Sequence, residues 1–91
     1  MEQYIFPAVF FQEEDEQDYT VVFPDWNIYT DGKTIVEAFL FAKDYLKVYC
    51  TYAKKYDMEI TKPTKLVDVI NKFPKSICML VDAFVPENIE K

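Results

Sequence analysis

The 91-residue chain contains no histidine, no arginine and a single glycine, and its ten basic residues are all lysine. Without histidine there is no imidazole general base, no Ser–His or Cys–His nucleophile pair and no histidine-rich metal site. Without arginine the chain lacks the side chain best shaped for bidentate recognition of phosphate and guanine. One glycine argues against a phosphate-cradling loop and against disorder. Two cysteines, Cys50 and Cys78, are too few and too far apart to indicate a disulfide framework or a zinc site. No apolar run approaches the roughly 20 residues of a membrane span. The start, Met1-Glu2-Gln3-Tyr4, lacks the basic and apolar regions of a secretory signal. These absences lead us to expect a soluble, cytoplasmic protein with no membrane contact and no cofactor.

What the chain has in abundance is acid. Sixteen Asp and Glu residues leave a formal charge of −6. They are unevenly placed: residues 1 to 32 hold eight acids (Glu2, Glu13, Glu14, Asp15, Glu16, Asp18, Asp25, Asp31) and no lysine, whereas residues 33 to 91 hold eight acids and all ten lysines. An acidic chain gains nothing from counterion release on nucleic acid, so direct DNA binding is not expected. Hydrophobic residues make up 51% of the chain and aromatics 18%. A domain of this size leaves roughly 40% of its unfolded-chain surface exposed. Some aromatics are therefore expected on a surface that meets another chain. The length fits one domain over residues 1–91.

Tyr4 to Phe11 is aromatic and β-branched and reads as a strand. Pro7 within it needs a position without a ladder bond, or a bulge. The polar run from Gln12 to Asp18 is a connecting loop, and Tyr19-Thr20-Val21-Val22-Phe23 is a second strand, ended by Pro24-Asp25. Together they form a hairpin with a long acidic tip. Trp26 to Thr30 fits a short third strand before a turn at Asp31-Gly32, where the glycine can supply a positive φ.

The strongest signal is the helix that follows, placed at about 34 to 56 with ends uncertain by 2–4 residues. Thr34-Ile35-Val36-Glu37 has the capping-box form. Ile35, Ala38, Phe39, Ala42, Leu46, Tyr49, Cys50 and Ala53 recur at helical spacing and define a core stripe. Lys43, Asp44, Lys47, Thr51 and Lys54 fall on the side facing water. A second stripe, Phe41, Tyr45, Val48, Tyr52 and Tyr56, widens the apolar arc to about 200° at ~100° per residue. Either the helix is sunk under neighbouring loops, or this stripe is an oligomer interface, since tyrosine combines apolar area with a polar tip.

Ile60-Thr61-Lys62-Pro63 reads as an extended linker, and Thr64 can cap a short helix holding Leu66, Val67, Val69 and Ile70 and ending near Phe73-Pro74. Ser76 to Val85 is a last strand, apolar on both faces and so suited to a sheet interior. A helix joining strands that end up parallel gives a right-handed crossover. The expected fold is α+β, in the order β-β-β-α-(short α)-β: a three- to four-stranded mixed sheet with helices on one face.

Catalysis finds no foothold. Asp25, Asp31, Asp44 and Asp82 could be imagined around magnesium, as in nucleases, but no spacing enforces it. Asp25 and Asp31 sit in turn positions where Asp is common, Asp44 is on the water side of its helix, and a strand-end location explains Asp82. Cys50 and Cys78 read as small buried hydrophobes, without the cationic neighbour a reactive thiol requires. No catalytic residue and no metal ligand is expected. The acidic hairpin is a solvated loop in the plainest reading, yet the same surface would steer and hold a strongly basic partner.

The hairpin, turn and helix resemble the HicB antitoxin family. The likeness is carried by Tyr4 with Phe6-Pro7-Ala8-Val9-Phe10, the acidic Glu13-Glu14-Asp15, and Tyr19-Thr20-Val21-Val22-Phe23-Pro24-Asp25. It continues through Thr30-Asp31-Gly32-Lys33-Thr34 into Glu37-Ala38, Ala42-Lys43, Tyr45-Leu46 and the linker Ile60-Thr61-Lys62-Pro63-Thr64. The resemblance implies a degenerate, partial ribonuclease-H-like fold without catalytic carboxylates. It further implies binding and neutralisation of a small, basic, HicA-like toxin that cleaves mRNA through a histidine. Two stretches depart from the family: Trp26-Asn27-Ile28-Tyr29 replaces a small Pro-Gly turn, and no C-terminal DNA-binding domain follows Pro86 to Lys91. The expected partner-binding residues are Glu13, Glu14, Asp15, Glu16, Asp18, Asp25 and Trp26. The expected oligomer interface, for a dimer or higher homo-oligomer, is Phe41, Tyr45, Val48, Tyr52 and Tyr56. The competing expectation is an orphan ribonuclease-H-like adaptor or regulator that has no toxin.

Overall fold

Period-2 runs of aromatic and β-branched residues form four strands, and 3.6-residue periodicity forms two helices. The computed structural model describes residues 1–87. In chain order the elements are β1 (Glu2–Gln12), β2 (Tyr19–Phe23), β3 (Ile28–Gly32), α1 (Ile35–Lys55), α2 (Leu66–Lys72) and β4 (Ile77–Val85). The strands make one sheet in the order β3-β2-β1-β4, every neighbouring pair antiparallel. The α+β class and the element order are as expected. Of the tail Pro86 to Lys91, residues 88–91 lie outside the described part.

Three expectations about the sheet are corrected. It is antiparallel throughout rather than mixed. Near the end of α1, Lys54 pairs with Glu2 at the start of β1, whereas β4 begins with Ile77 opposite Phe10, near the end of β1. The linker and α2 therefore carry the chain back along the sheet, and β4 runs against β1 instead of with it. β4 is also an edge strand, and β1 is central. Finally, the helices do not share one face. α1 and α2 both touch β1 and β4 but make no contact with each other, which places them on opposite faces.

The side-chain alternation of β1 confirms two covered faces. Phe6, Ala8 and Phe10 pack with Val21, Phe23, Val81, Ala83 and Val85 against Ala38, Ala42, Leu46 and Cys50 of α1. Val9 points the other way and is also fully buried. Val69, the buried residue of α2, lies outside the α1-side cluster. On β4 only the α1 side is fully covered: Val81, Ala83 and Val85 are buried, whereas Leu80 and Phe84 on the other side are about half exposed, so apolarity on both faces does not mark an interior strand. Pro7 is tolerated because β2 pairs with β1 only over Val9–Gln12, so β1 has one neighbour at that level.

Gly32 is used differently from expectation. No glycine has a positive φ. A Cβ at Gly32 would lie 2.4 Å from the Ala38 backbone nitrogen and 2.7 Å from its Cα, so the glycine lets the first turn of α1 press directly onto β3. The left-handed positions fall instead on Asp15, Asn27 and Asp57, residue types that tolerate them. The Thr34 cap is as read from the sequence: its Oγ1 accepts from the Glu37 amide at 3.0 Å, and Glu37 Oε1 accepts from the Lys33 amide at 3.2 Å. Thr64 does not cap α2. Its amide and hydroxyl donate to the Asp25 carboxylate, and Lys65 takes the N-cap position with no side-chain bond.

Candidate functional site

The acidic tip follows from the end of β1. From Gln12 to Asp18 every residue is exposed, because a run of charged side chains has nothing to bury. The loop is nevertheless shaped. The Glu16 amide donates to the Glu13 carbonyl at 3.0 Å, Gln12 Nε2 donates to the Gln17 carbonyl at 2.9 Å, and Asp15 takes a left-handed conformation. Glu13, Glu14, Asp15, Glu16 and Asp18 thus project from one end of the sheet. Asp31, absent from the expected site, joins them there. It is exposed on β3 opposite Thr20, two residues from Asp18, and strand pairing that the sequence does not print brings it close.

Asp25 and Trp26 do not belong to that surface. They follow the far end of β2, about 17 Å away for a five-residue strand rising ~3.3 Å per residue. Asp25 is engaged by Thr64. Trp26 follows a turn closed by its amide on the Phe23 carbonyl, and its ring packs on Phe6, Phe23 and Tyr49 at centroid distances of 4.3, 5.2 and 4.4 Å. Both side chains fasten the fold, and the Trp26 ring packs onto the core. The expected partner-binding set therefore divides into two ends of the molecule.

Two acids outside the loop pair with lysines of α1. Glu2 meets Lys54, and that hydrogen bond holds its carboxyl below the usual range. Burial, with Glu2 accepting its hydroxyl, pushes Tyr4 up to about 12. Asp82 lies in the middle of β4 rather than at a strand end. It pairs with Lys43 at 2.8 Å and accepts from Gln3 at 3.2 Å, and the Lys43 bond lowers its pKa. Lys43, expected to face water, also donates to the Asp82 carbonyl at 3.0 Å. Asp25, Asp31, Asp44 and Asp82 thus stand apart. Among the described residues no group of three or more His, Cys, Asp or Glu could hold a metal ion. Burial pushes the Cys50 thiol up to about 11 and raises Cys78, so both are protonated at neutral pH. No helix among the described residues is long and apolar enough to cross a membrane.

The second stripe of α1 is not sunk under loops. Phe41, Tyr45, Val48, Tyr52 and Tyr56 are all exposed, Val48 by 66%. The Tyr52 and Tyr56 rings contact each other at 4.6 Å. Beside them, Ile28 and Thr30 of β3 form the other wall of an open groove of ≈ 580 Å³ floored by Tyr45, Tyr49 and Tyr52.

No protein-family profile and no curated protein sequence matches the chain. Solved structures do. A toxin–antitoxin complex from Streptococcus pneumoniae contains a chain that superposes with a TM-score of 0.81 at 22% identity, over 99% of this chain and 79% of that one. The antitoxin HicB of Burkholderia pseudomallei gives 0.79 at 14% identity, over 97% and 71%. The N-terminal domain of that HicB gives 0.72 at 16% identity, over 86% and 95%. The sequence resemblance is therefore matched by a likeness of fold: this chain has the fold of the HicB N-terminal domain.

Proposed function

We propose that this chain is a HicB-like antitoxin, or a stand-alone relative, that binds and occludes a small basic HicA-like toxin through its acidic end. The observation that carries the reading is the loop of five exposed carboxylates, Glu13, Glu14, Asp15, Glu16 and Asp18, in a stretch of 32 residues without a basic side chain. Such a surface attracts a cationic protein at long range and orients it on approach. An RNA-cleaving enzyme must itself be cationic where it grips phosphates, so covering that face blocks its substrate. The fold shared with HicB supports the same reading.

The role is non-catalytic. The chain has no histidine, and both thiols are held protonated by burial. Inhibition would be stoichiometric and carried out in the cytoplasm, and the acidic surface of this domain gains nothing from contact with DNA.

The test is co-purification with the product of the adjacent reading frame, together with a growth assay. A small basic ribonuclease that co-purifies and is silenced by this chain is the expected outcome. The combined Glu13→Gln, Glu14→Gln, Asp15→Asn, Glu16→Gln and Asp18→Asn variant should keep its circular dichroism and associate about tenfold or more slowly at low salt. Failure to bind or silence any such protein removes the antitoxin reading and leaves the toxin-free adaptor. Unchanged association of the variant moves the contact away from the acidic end.

A further inference from the structure

A water-facing helix surface normally carries charges, yet along α1 from Phe41 to Tyr56 one strip is apolar and aromatic. We propose that a second copy of this chain covers it, the two α1 helices packing antiparallel about a twofold axis near Val48. The proposal stands apart from the toxin reading and uses none of the acidic-loop residues.

The area is sufficient. Phe41, Tyr45, Tyr52 and Tyr56 are each about half exposed, which at roughly 200 Å² per aromatic side chain leaves about 100 Å² apiece. With Val48 and the Ile28 wall of the groove, the face approaches the ~600 Å² per partner at the low end of stable interfaces.

Charge selects the occupant and its direction. Taking Phe41 as 0° on a helical wheel, Asp44 falls at about 300° and Lys55 at about 320°, so both border the same flank of the strip. Neither has an ion-pair partner among the described residues. In an antiparallel pair, like flanks meet. Asp44 and Lys55 are eleven residues apart, about 16 Å along the axis, with their midpoint level with Tyr49 and Cys50, about half a turn from Val48. A twofold axis there sets each Asp44 against Lys55 of the other copy, giving two symmetric ion pairs. A parallel pair would bring unlike flanks together and leave Asp44 and Lys55 without each other. The charges of Asp44 and Lys55 on that flank cancel, so the strip offers a basic protein no net attraction there. Antiparallel helices also align their macrodipoles favourably. The competing edge of β4 is guarded at its centre, where Lys43 occupies the carbonyl and carboxylate of Asp82, a common way of blocking strand addition.

Sedimentation equilibrium of the full chain should report twice the 10.8 kDa chain mass. Val48→Glu, at a position already exposed, should give a monomer with unchanged circular dichroism. Asp44→Lys should weaken the dimer about tenfold by turning two attractions into two repulsions. Adding Lys55→Asp should restore it to within about threefold, a recovery that only facing residues produce. The proposal is overturned by a monomer at the highest soluble concentration, by a dimer that survives Val48→Glu, or by a double swap no better than the single one. A monomer that needs Val48 to bind a basic protein would assign the face to that partner instead.

Discussion

The two sides of α1 invert the usual arrangement. Its buried side is built from Ala38, Ala42, Leu46, Cys50 and Ala53, mostly small residues, whereas its exposed side carries Phe41, Tyr45, Tyr52 and Tyr56. Small residues let the helix axis approach the sheet closely, and Gly32 extends that closeness to the backbone of the first turn. The large aromatics are not needed to fill the space beneath. A helix whose bulk points outward is shaped for a contact beyond its own domain, and the inner side shows what a satisfied contact of the same helix looks like.

Gly32→Ala should break the inner side most. The new Cβ meets backbone atoms of α1 that cannot rotate away, so we expect a loss of about 3 kcal/mol, at the upper end for overpacking, read by urea denaturation. A smaller effect belongs to the ties between helix and sheet. The folded-state pKa of Asp82 is lowered by Lys43, and that of Glu2 by Lys54. A lowered carboxylate stabilises fully above its unfolded pKa near 4 and loses that contribution as pH falls through the folded value. Stability should therefore drop below about pH 4, and Asp82→Asn should flatten that acid limb in pH-dependent thermal melts. The smallest effect should come from the outer side. Tyr52→Ala, studied at a concentration low enough to keep the chain monomeric, should change stability by no more than about 0.5 kcal/mol. A large loss would place that ring in the monomer's own packing and erase the contrast.

Local chemistry is legible in the amino-acid sequence. The cap at Thr34, the core stripe of α1 and the strand assignments each depend on neighbours within a few residues, which the chain displays in order. The errors about the sheet share one physical origin, the return path between α1 and β4. Nothing local in Ile60-Thr61-Lys62-Pro63 says that the chain passes round the end of the sheet, so sequence alone sets α2 beside α1 and β4 parallel to its neighbour. The same blindness misplaces Asp25, which reads as a turn residue until Thr64, 39 positions on, arrives to bind it. It also misplaces Trp26, an aromatic with no periodic partner in sequence that proves to be packed on Phe6 and Tyr49. Of the candidate site, the acidic loop can be read because solvent-exposed charge is a property of composition. The contribution of Asp31 cannot, because it depends on strand register.

The pairing of β1 with β4 also sets the timetable of folding. Glu2 is registered with Val85, so β1 waits through β2, β3 and both helices before its second neighbour exists. Closing so long a loop is slow, and until then the apolar central strand offers an open edge to any other chain. The sheet closes only once β4 has been made, and until then a bound partner or a chaperone has its greatest influence on how much of the protein survives.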